Sequence, residues 1–132
     1  LARGVLTGKY DPNAKPEKGS RAGRGDQRML NSEWRKESLI IAQKIKKHAA
    51  KKSMTPVDFA LNWVLNNRLV TSVIAGPRTL AQWKSYLNAL KHEFSAEDEA
   101  FIDALVAAGH PSTPGYNDPK HPVIGREALT SQ

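Results

Sequence analysis

A short apolar run rich in β-branched residues, Val70-Thr71-Ser72-Val73-Ile74-Ala75, sits between two helical patterns and is stopped by Gly76-Pro77. This feature restricts the fold most. β-Branched side chains suit a pleated strand, and an apolar run flanked by helices suits a parallel strand covered on both faces. Leu1 to Thr7 reads as the end of another strand, turning at Gly8. The predicted order is strand, long loop, helix, helix, strand, helix, helix, which is α/β wiring with parallel strands. Two strands cannot form an independent parallel sheet with both faces covered, so the segment reads as incomplete. The chain opens directly on its first apolar run, without methionine. That fits a chain beginning inside a larger fold, and removal of a tag or peptide would look the same.

The helices are read from spacing. Over residues 33–51, Leu39, Ala42, Ile45 and Ala49 recur at threes and fours with Ile41 beside them, while Lys44, Lys47 and Lys51 fall off the stripe. Thr55 and Pro56 are a good N-cap and first position for a helix over 55–66, whose predicted buried face is Val57, Ala60, Leu61, Val64 and Leu65, joined by Trp63. Thr79 and Gln82 match a capping box opening a helix over 79–90, with Leu80, Trp83, Leu87 and Leu90 as its stripe. Ser95 caps a last helix over 95–108, with Glu97, Asp98 and Glu99 in its first turn, Phe101, Leu105 and Ala108 as its stripe, and Gly109 just past its end. Residues 11–33, rich in Pro, Gly, Lys and Arg, show no apolar period. A connection that long is usually functional or disordered, so it is a candidate to order around a ligand. The tail from His110 has four prolines and no period.

Composition narrows the function classes. With 132 residues, 39% apolar and 25% charged, the chain is globular in character. It has no run of the roughly 20 apolar residues a membrane helix needs and no secretory leader pattern. Having no cysteines excludes disulfides and thiolate metal sites and fits a cytoplasmic protein. His48, His92, His110 and His121 lack metal-ligand spacing, and no P-loop, Gly-x-Ser-x-Gly or Gly-x-Gly-x-x-Gly pattern is present. The net charge of +7 is uneven: residues 1–52 carry 14 Lys/Arg against 5 Asp/Glu, and residues 53–132 carry 6 against 8. A basic half fits a phosphate ligand, nucleic acid or a solvated helix face.

Two places carry candidate chemistry. Val73 to Thr79 delivers a Gly-containing turn onto a helix N-terminus, where free N–H groups and the dipole favour an anion. There Arg78 can grip a phosphate in two places, and Gly76 lets a ligand approach the backbone. Simple capping by Thr79 and Gln82 explains the same residues. The second place is Thr7-Gly8-Lys9-Tyr10, at the mouth of a loop holding Lys15, Lys18, Arg21, Arg24 and Arg28. Lys9 and Tyr10 read either as a proton-transfer pair or as a surface charge beside a packed ring. The basic loop suits a pyrophosphate better than catalysis. Trp63 and Trp83 lie beside or within apolar stripes and read as core, leaving Trp34 free to be exposed.

Three motifs together resemble the aldo-keto reductase family. Leu1-Ala2-Arg3-Gly4-Val5-Leu6-Thr7-Gly8-Lys9-Tyr10 is similar to that family's seventh-strand segment, Pro-Leu-x-x-Gly-x-Leu-Thr-Gly-Lys-Tyr. Thr55-Pro56 through Ala60-Leu61-Asn62-Trp63 resembles its Thr-Pro-x-x-x-Ala-Leu-x-Trp helix, and Ser72 to Thr79 with Gln82 resembles its eighth strand and cofactor loop. The resemblance covers the chain to about residue 108. It implies the C-terminal part of a (β/α)₈ TIM barrel, mostly helical with about two short parallel strands. Residues 1–10 would be the strand and cofactor turn, 11–33 the long basic loop, 34–109 the helices and last strand, and 110–132 the tail, where Pro114-Gly115-Tyr116-Asn117 and Pro122 to Arg126 look like a subgroup feature.

The family uses NADPH (the NADP cofactor) to reduce carbonyls to alcohols. The resemblance therefore assigns cofactor binding to Leu1, Ala2, Gly4, Thr7, Lys9 and Arg21 on the nicotinamide and pyrophosphate side, and to Gly76, Arg78 and Gln82 at the adenosine 2′-phosphate end. The family often has Glu-Asn three and four residues after that glutamine; here Ser85-Tyr86 stand there, which alters the usual polar grip on adenine and leaves Tyr86 as a ring that could stack on it. The family's catalytic Asp, Tyr, Lys and His come from earlier strands, and none is assigned here. The implied partners are a small carbonyl substrate and the N-terminal part of the barrel. Two rival readings stand beside this one: a basic helical module binding nucleic acid or an acidic partner, and an inactive piece whose exposed barrel edges favour self-association.

Overall fold

The computed structural model describes residues 1–106, Ser112 and 127–131. Five α-helices run in chain order: α1 (Gln27–Ser32), α2 (Lys36–Lys51), α3 (Pro56–Leu65), α4 (Leu80–Asn88) and α5 (Ala96–Leu105), with 3₁₀ turns at Ala2–Thr7, Ala89–Lys91 and Leu129–Ser131. The mostly helical character matches the sequence reading. No described helix is long and apolar enough to cross a membrane.

The core forms where α2, α3 and α5 meet. The stripe of α2 lands as its spacing dictates: Leu39, Ala42, Ile45 and Ala49 are buried, and Lys44, Lys47 and Lys51 are exposed. Its C-terminus closes in a Schellman arrangement. Ser53 takes the left-handed position at φ 57°, Ser53 N–H donates to Ala50 O at 3.2 Å and Met54 N–H to Ala49 O at 3.0 Å. This reversal tucks Met54 under the helix it has just left. On α3, the capping box of Thr55 and Asp58 fixes the first turn. The helix then turns Phe59, 1% exposed, into a cluster with Ile45, Ala49, Met54 and Phe94. The spacing of Val57, Val64 and Leu65 had pointed to a different face; those three are only partly buried, because the aromatic ring carries more apolar area into the core than they do.

Asp98 sits at the third position of α5, in a capping box with Ser95, and is fully buried. His48 Nε2 lies 2.7 Å from Asp98 Oδ1, and Lys52 pairs with Oδ2. The His48 ring stacks on Phe101 at 3.9 Å. This histidine thus joins α2 to α5. Among the described residues, no group of three potential metal ligands occurs.

The structure differs from several expectations. The strand over 1–7 is a 3₁₀ turn, broken by left-handed backbone at Arg3 and Gly4. The strand over 70–75 has no regular secondary structure, and Ile74 is 101% exposed. Both have one cause. A strand is defined by its hydrogen-bonded neighbour, and among the described residues the only pairing is an isolated antiparallel bridge, Asn67 to Ala128. The predicted stripe of α4 is not buried either: Leu80, Trp83, Leu87 and Leu90 are all exposed, so Trp83 is no core residue. The loop over 11–33 also holds one short helix, α1, whose N-cap Asp26 accepts from Met29 N–H at 2.9 Å and which buries Met29 completely. Trp34, read as free, packs edge-on against Tyr10 at 5.0 Å. The end of the last predicted helix at Ala108 and Gly109, and the tail motifs, lie outside the described residues.

Candidate cofactor site

The turn that presents Lys9 is pinned from below by α2. Gly8 is left-handed at φ 65°, a conformation that favours glycine, and a Cβ there would press on the Lys46 side chain, with Cδ at 3.0 Å. Gln43 Nε2 donates to Gly8 O at 3.0 Å and to Tyr10 O at 2.8 Å. These bonds explain why the run after Leu6 turns instead of continuing. Tyr10 is buried with Trp34, Met29 and Leu39. Lys9 lies across the face of the Tyr10 ring, 5.0 Å from its centroid, with its amine exposed. A proton-transfer role for the pair has no support in this geometry, since the phenol is buried away from solvent.

On the other side, Thr79 Oγ1 accepts from Gln82 N–H at 3.2 Å, opening α4. Gln82 Oε1 reaches back to accept from Arg78 N–H at 2.7 Å. This resembles a capping box shifted by one residue, because it engages Arg78 instead of the N-cap amide. It fixes the Arg78 backbone while leaving its side chain exposed, with no carboxylate partner among the described residues. Nothing lies within 4 Å of a Cβ built on Gly76, so packing does not demand that glycine.

One cavity of about 700 Å³ joins the two sides. Leu1, Gly4, Thr7, Lys9 and Arg21 line it from the N-terminal turn and the loop, and Gly76, Arg78, Gln82 and Tyr86 from the α4 side. Nine of the ten residues singled out in the sequence therefore share one wall. The tenth, Ala2, is exposed and does not border it. Arg3, Gly19 and Ser20, and the Ala60, Leu61 and Val64 face of α3, also line the cavity and were not foreseen. For α3 the misleading signal is its apolarity, since a cavity floor and a core look alike in sequence. Arg3 left a signal in being a cation inside the N-terminal motif.

Chemically, the wall combines four cations (Arg3, Lys9, Arg21 and Arg78) with a helix N-terminus and a small apolar floor. Arg21 has only a loose counter-ion, Asp26 at 3.6 Å, and both are partly exposed. The N–H groups of Leu80 and Ala81 have no acceptor among the described residues. This donor set suits an elongated anion with a flat apolar portion. A nicotinamide dinucleotide phosphate has that character, so the residues fit the group implied by the motifs.

Comparison with known proteins agrees with the motif reading. The sequence profile described as the aldo/keto reductase family matches residues 1–107. The chain is also similar to L-glyceraldehyde 3-phosphate reductase of Escherichia coli O157:H7, with 32% identity over 112 residues, 83% of this chain. It spans about a third of that relative's length, 32%.

Proposed function

This chain belongs to the aldo/keto reductase family, and on that premise we propose that it forms the cofactor-binding, C-terminal part of a (β/α)₈ barrel that uses NADPH to reduce carbonyl groups to alcohols. One observation carries this reading: residues from two motifs some seventy positions apart in sequence border a single cation-lined cavity. In this reading Arg78 and the α4 N-terminus hold the 2′-phosphate, Lys9 and Arg21 neutralise the pyrophosphate, and Tyr86 lies beside the adenine. The bound nicotinamide would supply the hydride. The groups that handle the carbonyl oxygen are not among these residues, and this chain's part is to bind and orient. The relative's name points to a small phosphorylated aldehyde as one substrate class to try.

The test is a titration of the full-length protein with NADPH and NADH. Arg78→Ala should weaken NADPH about tenfold or more, since a charge-assisted bidentate contact contributes roughly 1.5–3 kcal/mol, and should leave NADH nearly unchanged. Equal affinity of wild type and variant for NADPH would remove the 2′-phosphate assignment.

A further inference from the structure

Among the four cavity cations, Arg3 is set apart by its backbone and its partner. Ala2 and Arg3 are non-glycine residues with φ of 44° and 49°, followed by Gly4 at 99°. Successive left-handed residues cost free energy, and such strain persists only where the surroundings impose it. Here the turn places Arg3 among the residues that line the cavity. Its guanidinium Nη1 donates to Glu33 Oε1 and, at 3.2 Å, to Ser32 Oγ. Both ion-pair partners are about one-fifth exposed, at 22% and 21%. The single Ser32 hydroxyl proton is shared between Arg28 O and Glu33 Oε2, both within its reach. Glu33 itself does not border the cavity. The other three cations have looser arrangements: Lys9 faces an aromatic ring, Arg21 a carboxylate at 3.6 Å, and Arg78 no carboxylate among the described residues.

We propose that Arg3 is a further anion-binding residue of this cavity, held in reserve by Glu33 as an internal counter-ion that an incoming phosphate group must displace. The proposal rests on the cofactor reading above. Arg3 belongs to the N-terminal turn, on the side assigned to the pyrophosphate, so its ligand is the phosphate chemistry common to NADPH and NADH. A strut joining the turn to the end of α1 is the competing role, and it predicts the opposite sign. Loss of a strut loosens the wall and weakens binding. Loss of a competing carboxylate frees the guanidinium and tightens it.

The experiment uses the full-length protein, titrated calorimetrically with NADPH, NADH and inorganic pyrophosphate at low and moderate salt. Glu33→Gln keeps the shape and removes the charge. It should tighten all three ligands about two- to fivefold, the range that a partly exposed ion pair is worth, with a steeper loss of affinity as salt rises. Arg3→Gln should weaken all three, and the double variant should show no gain over Arg3→Gln alone. A thermal melt of each variant separates unfolding from binding effects. Unchanged or weaker pyrophosphate binding by a folded Glu33→Gln protein would overturn the proposal. If Arg78→Ala still weakened NADPH selectively in that case, the cofactor reading would stand and only the role of Arg3 would fall. If neither substitution moved any ligand, the cofactor reading would fall with it.

Discussion

The helices α2 and α4 carry equally regular apolar stripes, spaced by threes and fours, yet they end in opposite environments. On α2 the whole stripe is buried. On α4 no residue is buried, and Leu80 is 67% exposed. The difference lies in where each stripe finds its partner. The first half of the α2 face, Leu39 and Ala42, meets Val5, Tyr10 and Met29, and the second half, Ile45 and Ala49, meets α3, Phe94 and the Phe101 side of α5, all within about sixty residues along the chain. The α4 face is preceded by the β-branched run that should form its strand, and that run has no hydrogen-bonded neighbour among the described residues. Amphipathic spacing states that a face is to be covered; it does not state by what. A helix whose cover comes from nearby sequence folds on it locally, whereas a helix built against a sheet depends on strands that must themselves be paired.

The comparison breaks first at Phe59. If the packed half is a true core, Phe59→Ala should cost about 3–5 kcal/mol, as for other fully buried rings, measured by urea denaturation of the full chain. The ring is tilted against Phe94 at 5.0 Å and edge-on to His48 at 5.4 Å, so its loss opens a cavity shared by three helices. A cost under about 1 kcal/mol would mean this half is as loosely organised as the α4 arm.

The next test concerns the polar seam of the same core. Burial alone would push the Asp98 carboxyl up, but the Lys52 ammonium, the Ser95 backbone N–H, His48 and the Ser95 hydroxyl outweigh it and bring it down from 3.8 to about 2. A carboxylate whose folded pKa is depressed contributes stability that is complete above its unfolded value and is lost as pH falls. The advantage of ionised Asp98 should therefore be full above about pH 5 and decline between pH 4 and 2. At neutral pH, Asp98→Asn should destabilise by about 2–3 kcal/mol, since it leaves His48 and Lys52 without their charged acceptor. Melting temperatures of wild type and variant should converge as pH approaches 2. A gap that stays constant down to pH 2 would show that the ionised form is not what matters.

Much of this was legible in the sequence, and the failures have a common physical origin. The caps at Thr55, Thr79 and Ser95 follow from local hydrogen-bonding chemistry and stand where the residues place them. The α2 stripe follows from periodicity with a local partner. Nine of the ten candidate site residues border one cavity. What the sequence did not disclose depends on distant partners. Phe59 outcompetes Val57 only once Phe94 and Phe101 are beside it. His48 becomes a half-buried hydrogen-bonding group only when α5 delivers Asp98 fifty residues later. Arg3 joins the cavity wall through a left-handed turn that its residue type disfavours. Strands at 1–7 and 70–75 were read from side chains alone, while a strand exists only through its neighbour's backbone.

The smallest expected effect tests the exposed half directly. Leu87 lies in the middle of the α4 stripe and is 46% exposed. Leucine and glutamine have nearly equal helix propensity, so Leu87→Gln changes apolar burial and little else. With no buried partner for this face among the described residues, the substitution should alter the stability of the chain by less than about 0.5 kcal/mol, the range of ordinary surface changes. The same measurement on Leu39, at the matching place in the α2 stripe and 4% exposed, should show a loss several times larger. The pair of values sharpens the contrast, because helix type, spacing and residue are held constant and only the cover differs. A loss above about 1.5 kcal/mol at Leu87 would mean that the α4 face is covered in solution by an apolar partner, and the two stripes would then be alike after all.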